Sequence, residues 1–236
     1  MTNLLEICVG DIAGLDTAVE AGADRIELCM APDQGGLTPS PGLIEIAAGA
    51  SIPVHVLIRP RAGGFVYSEA EYKTMLRDIA FCREAGIAGV AIGALDTHHE
   101  LDEAGLSRLM EAADGMDITL HRAFDLTRDP FAALERAIAL GIPRILTSGQ
   151  EPRASEGRAL IEALAAAADG RIALMPGSGI NASNAHLFLD IPGITQLHAS
   201  CTIRHQGEPM KLQGFESAAP RHTDERAILA LKAAMA

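Results

Sequence analysis

The chain has 236 residues, 48% of them apolar, and its 19 basic and 31 acidic residues give a net charge of −12. That balance argues against a protein working mainly on nucleic acid, which needs a basic face, and 3% aromatics without tryptophan argue against a base-stacking platform. Four cysteines with no C-x-x-C pair do not make a disulfide scaffold.

The N-terminus has no basic region and reaches Glu6 at once, so it reads as no secretory signal. The first β-branched apolar run, LLEICV, begins at Leu4. The turn after it, from Val9 to Gly14, is not a G-x-G-x-x-G fingerprint. Gly22 stops a first helix, and DRIELC begins at Asp24. The connection 30–39 leads to Ser40-Pro41, an N-cap followed by proline at the first helical position. PVHVLIR begins at Pro53, and the long connection 59–68 ends in Ser68 with Glu71, a capping box. Behind it Tyr72, Met75, Leu76, Ile79 and Phe81 mark an apolar helix face, with Cys82 in the core. Gly86 stops that helix before GVAIGAL at Gly89. His98 and His99 fall in a solvated loop, and DITLHR begins at Asp117. Asp129-Pro130 caps the next helix, Gly141 ends it, and PRILTS begins at Pro143. Gly170 precedes RIALMPG at Arg171, Asn181 reads as the next N-cap, and His186 sits on a helix surface. The uncharged stretch 172–189 contains Pro176, two glycines and two asparagines, so it is no membrane span. ITQLHAS begins at Ile194. Residues 201–222 then form a long loop without periodicity, and Thr223 caps an alanine-rich final helix over 224–236 that either closes the barrel or sits at an interface.

Eight runs about 27 residues apart, alternating with 3.6-period segments, predict an α/β fold with a parallel sheet. At this length they match a closed (β/α)₈ TIM barrel, a single domain over 1–236. The long connections 30–39, 59–68 and 201–222 all follow strands, on the face where such barrels carry their sites.

Alternation places one residue set of each strand inside the barrel. In five strands that set is polar: Glu6 and Cys8; Arg25, Glu27 and Cys29; His55 and Arg59; Thr119 and His121; Gln196, His198 and Ser200. Burying such groups is costly unless they pair. They form either an internal network, with Glu6 or Glu27 neutralising Arg25 or Arg59, or a ligand site at the strand ends. The glycine turn Gly177, Ser178 and Gly179 opens a helix, and Ser148 with Gly149 ends the sixth strand. Both can present backbone N–H groups to an anion. Cys8 and Cys29 end neighbouring strands. In matching register their sulfurs can share a soft cation such as Cu(I), form a disulfide, or simply pack as small apolar groups.

The stretches LEICV, GADRIELC with GGLTPS, IPVHVLIRPRAGGFVYS, HRAFD, RILTSGQEP, MPGSGIN and LHAS resemble the CutC family. The resemblance implies a TIM barrel, a cytoplasmic location, a role in copper homeostasis with Cu(I) binding, and Cys8 and Cys29 as the suspected metal ligands. Two functions follow. One is a copper-binding protein using Cys8 and Cys29. The other is an isomerase- or lyase-type enzyme acting on a small anionic or phosphorylated substrate. There His55 and His121 would be the acid and base, and Glu27 would orient the substrate or act as a base. Arg59 and Arg61 would hold the anion, with Ser148, Gly177, Ser178 and Gly179 taking a phosphate. No lysine lies in a strand, which counts against a Schiff-base aldolase. No organic cofactor, nucleic-acid partner or membrane partner is indicated, and low aromatic content disfavours a protein-binding scaffold. A homodimer suits a helix-covered barrel.

Overall fold

The computed structural model describes residues 3–204, 211–212, 215–216 and 221–236. Every apolar run becomes a strand: β1 Leu4–Val9, β2 Arg25–Leu28, β3 Val54–Leu57, β4 Gly89–Ile92, β5 Asp117–Leu120, β6 Arg144–Thr147, β7 Ala173–Pro176 and β8 Gln196–Ala199. All pair in parallel in the order β7-β6-β5-β4-β3-β2-β1-β8. β7 and β8 lie side by side at the seam. The sheet therefore curls into the expected single-domain (β/α)₈ barrel.

The helices are α1 Ile12–Glu20, α2 Pro41–Ala47, α3 Glu69–Glu84, α4 Glu103–Ala112, α5 Pro130–Ala139, α6 Arg158–Ala168, α7 His186–Leu189 and α8 Glu225–Ala234. Ser40 and Asp129 cap α2 and α5 ahead of their prolines, and Ser68 with Glu71 forms a complete capping box on α3. Gly22, Gly86, Gly141 and Gly170 follow α1, α3, α5 and α6 in the left-handed region, where a Cβ would be strained.

Two expected caps differ. The Asn181 carboxamide accepts from Ser183 in a local turn, and α7 starts only at His186 without a side-chain cap. Asn and Asp bond their own backbone two residues on as readily as they cap a helix. At α8 the cap is Asp224, which accepts from the Arg226 N–H. Thr223 instead ends a strand. That strand, β12 Arg221–Thr223, pairs antiparallel with β9 Thr202–Arg204, and β10 Lys211–Leu212 pairs with β11 Phe215–Glu216. The segment expected as a patternless loop over 201–222 thus contains strand pairs. Its remaining residues lie outside those described.

Leu5, Ile7, Ile26, Val56, Ile92 and Leu197 are fully buried in the layer between barrel and helices. Each such burial contributes about 1.5–3 kcal/mol, so the annular core carries the fold. Inside the barrel the apolar cluster is small: Cys29, Leu57 and Ala91, with Cys8 packed against them. Leu146 and Met175 also face inward, and most of the remaining interior is polar.

Candidate functional site

Strand register arranges the inward side chains in two tiers. Glu6 lies opposite Arg25 on one side and His198 on the other, and His55 lies opposite Gly89. A Cβ at Gly89 would sit 2.5 Å from the His55 ring, so glycine makes room for the imidazole.

The lower tier is saturated. Arg25 Nε bonds Glu6, and its Nη2 donates to Gln196 Oε1 at 3.1 Å. Arg144 donates to the same Gln196 oxygen at 2.8 Å, to Thr119 Oγ1 at 3.0 Å and to Asp117 Oδ2 at 2.9 Å. His55 Nε2 lies 3.4 Å from Asp117 Oδ2 and Nδ1 lies 3.5 Å from Thr119 Oγ1. Burial works against the Glu6 charge. The His198 hydrogen bond and the Arg25 charge outweigh it and hold Glu6 well below the usual carboxylate range. Asp117 is likewise lowered, by His55 and Arg144 against its own burial.

The upper tier opens on a cavity of about 360 Å³. Cys8, Glu27, Cys29, Arg59, His121 and His198 line it, joined by Phe65, Arg122, Ser178, Gly179, Ser200 and Arg221. Cys8 is opposite Glu27 in the ladder, two residues out of step with Cys29, yet the two Sγ atoms are 3.4 Å apart. Both thiols are free. The contact with Cys29, and then burial, push the Cys8 thiol well up. One ligand atom each of Cys8, Glu27 and His198 lie within 4.8 Å of one another. His198 Nδ1 is 2.7 Å from Glu6 Oε1 and Nε2 is 3.8 Å from Glu27 Oε2. Burial raises Glu27 more than His198 lowers it. Glu27 and Glu6 raise His198 although burial opposes them.

His121 has a different setting. Its Nδ1 accepts the Ala123 N–H at 3.1 Å, which leaves the proton of the neutral ring on Nε2. Burial, then the Arg59 charge, lower it to about 3. Phe65 packs 5.0 Å from the imidazole centroid and stacks under the Arg59 guanidinium at 5.0 Å. Arg59 donates to the carbonyls of Gln34, Gly36 and Gly63 at 2.7–2.8 Å.

Several residues expected at the site stand elsewhere. His55 belongs to the lower tier and does not line the cavity. Arg61 turns away to Glu71 and to the carbonyls of Gly64 and Val66, with Tyr67 beneath it. Ser148 is fully buried. It accepts from Arg122 at 2.6 Å and bonds Asp125 at 3.0 Å, so a phosphate has no access to it. The Gly177 N–H is bonded to Thr147 O. A Cβ there would sit 2.5 Å from Leu146, which gives the glycine a packing reason. α7 starts well after Ser178 and Gly179, so this turn does not open directly into a helix. Phe65 comes from a loop, Arg122 from a 3₁₀ turn and Arg221 from the segment 201–222, whose sequence shows no alternation.

A family model described as the CutC family matches residues 3–203. The chain belongs to the CutC family. The family protein CutC of Sinorhizobium medicae (strain WSM419) is 48% identical over 234 residues, covering 98% of this chain and 96% of that one. Its counterpart from Agrobacterium fabrum is 49% identical over 232 residues, 97% and 92% of the two chains. The crystal structure of a protein assigned to copper homeostasis, CutC from Streptococcus agalactiae, superposes with a TM-score of 0.80 at 32% identity. That match covers 84% of this chain and 99% of that one. The CutC match ends near β9, so all eight barrel strands and the polar interior fall within it, while Arg221 and α8 lie beyond. Among the described residues, no helix is long and apolar enough to cross a membrane.

Proposed function

We propose that this CutC-family protein binds Cu(I) at the barrel mouth through Cys8 and Cys29, with His198 Nε2 as a third donor, and serves copper homeostasis in the cytoplasm. The observation that carries this reading is the 3.4 Å separation of the two free sulfurs beside His198 and Glu27. Thiolate and imidazole are the soft and borderline ligands Cu(I) prefers. The Glu6 contact to Nδ1 orients the His198 ring and leaves Nε2 for a metal, as carboxylates do behind metal-binding histidines. Binding must displace thiol protons. Burial makes the Glu27 carboxylate beside Cys8 a stronger base, able to receive one when it is ionised.

The test is a Cu(I) titration against a competing chelator. Cys8→Ser with Cys29→Ser should weaken Cu(I) by about a hundredfold or more, roughly 3 kcal/mol. Cys82→Ser, in the α3 core, should leave affinity unchanged. Equal affinity in the double variant and the parent contradicts the reading.

A second reading has one observation in its favour: the Glu27 carboxyl, raised by burial, lines a cavity, as an acid–base group does. Under it the protein is an isomerase- or lyase-type enzyme with Glu27 as acid–base, and His121, neutral near pH 7, serves as a hydrogen-bond donor. Glu27→Gln would abolish turnover of a substrate found by screening while sparing ligand binding. A variant of undiminished turnover removes this reading.

A further inference from the structure

Among the described residues, four buried side-chain nitrogen or oxygen atoms have no hydrogen-bond partner: Arg59 Nε, His121 Nε2, Arg221 Nε and the Tyr67 hydroxyl. The three nitrogens belong to residues that line the one cavity at the barrel mouth. Buried donors are nearly always satisfied, and each exception calls for a reason. Here three exceptions, from three separate segments, belong to residues of one cavity lining, and all three are donors.

Two of the three belong to cations and the third to a neutral imidazole. Arg59 is 6% exposed; its guanidinium donates to three carbonyl oxygens and has the Tyr67 hydroxyl beside it. No carboxylate among the described residues forms an ion pair with it. A buried cation without a counter-ion is costly. Arg221 Nη2 is paired with Asp33 Oδ1 at 2.9 Å, which fixes the guanidinium while leaving its Nε free. His121 is 4% exposed, and its neutral ring keeps Nε2 as a donor.

The geometry points to an oxyanion subsite in which His121 Nε2, Arg59 Nε and Arg221 Nε hold the phosphate or carboxylate group of a small metabolite. The aromatic face of Phe65 and the side chains of Leu57 and Leu146 flank it. A volume of about 360 Å³ suits a small metabolite rather than a polymer. The inference rests on these three donors and not on the copper reading, since neither cysteine takes part.

Two substitutions at His121 separate binding from folding. His121→Asn keeps an acceptor where Nδ1 receives the Ala123 N–H and deletes the distal donor. His121→Gln restores a donor near the Nε2 position. Arg221→Lys keeps a cation near Asp33 and removes Nε. Inorganic phosphate and acetate, each titrated by calorimetry and by thermal shift at constant ionic strength, probe the tetrahedral and planar head groups separately. One of the two should saturate the parent protein. Affinity should fall about tenfold or more in His121→Asn and in Arg221→Lys, the effect of losing one charge-assisted hydrogen bond. It should be largely retained in His121→Gln and in the Cys8→Ser, Cys29→Ser double variant. Failure of both anions to saturate the parent overturns the inference, as does undiminished binding in His121→Asn and Arg221→Lys. Because the double cysteine variant is read in the same titration, failure here and failure of the copper reading are told apart.

Discussion

Low in the barrel, Glu6 and Asp117 each hold an arginine, and Gln196 bridges the two pairs. At the mouth, Arg59 holds carbonyls, His121 has a free donor, and two thiols touch without a disulfide between them. The two tiers use the same residue types on the same inward alternation. They differ in satisfaction. Polar groups that meet each other's needs make a rigid filler for a barrel interior, whereas groups with unmet needs are available to a ligand. A polar interior is therefore not evidence for a site until its hydrogen bonds have been followed.

The sharpest way to break this comparison is to remove a cation from the lower tier. Arg25→Met takes the arginine from buried Glu6 and leaves it His198 alone, which should cost about 3 kcal/mol. In a chain of this size that is a fall of about 10 °C in Tm, read by a thermal melt. The double serine variant at Cys8 and Cys29 should melt far closer to the parent. If both fall equally, the mouth is structural as well.

A second contrast uses two glycines of β4 and its end. Gly89→Ala would press on the His55 ring and come within 2.7 Å of the Asp117 carbonyl, and Gly93→Ala would press on His121. Each should cost about 1–3 kcal/mol by overpacking. Only Gly93→Ala should also impair oxyanion binding, as measured by the phosphate and acetate titrations. Loss of binding in Gly89→Ala would erase the distinction between the tiers.

Much of this was legible in the sequence. Strand alternation gave the inward set in five strands, because a two-residue period fixes which face a side chain takes. It did not give height along the barrel axis. His55 and His121 share an inward face, yet one sits in the lower network and the other at the mouth. Nor did it reveal what a long side chain finds to bond. Arg61 reaches Glu71 in the α3 capping box, and Ser148 is held by Asp125 and Arg122. Cys8 and Cys29 meet despite a two-residue offset, because inward side chains converge across a curved sheet in a way linear register does not show. Asp224 outcompeted Thr223 as a cap, one residue away, which lies within the ordinary uncertainty of helix ends.

A smaller effect concerns acid. The folded His121 is lowered to about 3, against about 6.5 for an unfolded imidazole. Between these values the unfolded chain binds the extra proton, so stability falls as pH drops. The contribution is fully present above about pH 6.5 and is lost progressively toward about 3. At pH 5.5 the loss is about 1 kcal/mol. Denaturant melts at pH 7 and pH 5.5 should show this difference in the parent and not in His121→Asn. An identical acid response in both would place the imidazole in contact with water. The Cys8 thiol works in the opposite direction for metal. Cu(I) affinity should rise with pH, roughly tenfold per unit for each proton displaced, and a flat titration would mean no thiol proton is released.

The central claim is that the upper tier is a thiolate site for Cu(I), and X-ray absorption on the Cu(I)-loaded protein addresses it most directly. The account predicts two sulfur scatterers and one imidazole nitrogen per copper, with the sulfur signal lost in the Cys8→Ser, Cys29→Ser variant. A first shell of nitrogen and oxygen alone, or a sulfur shell that survives that substitution, would contradict it.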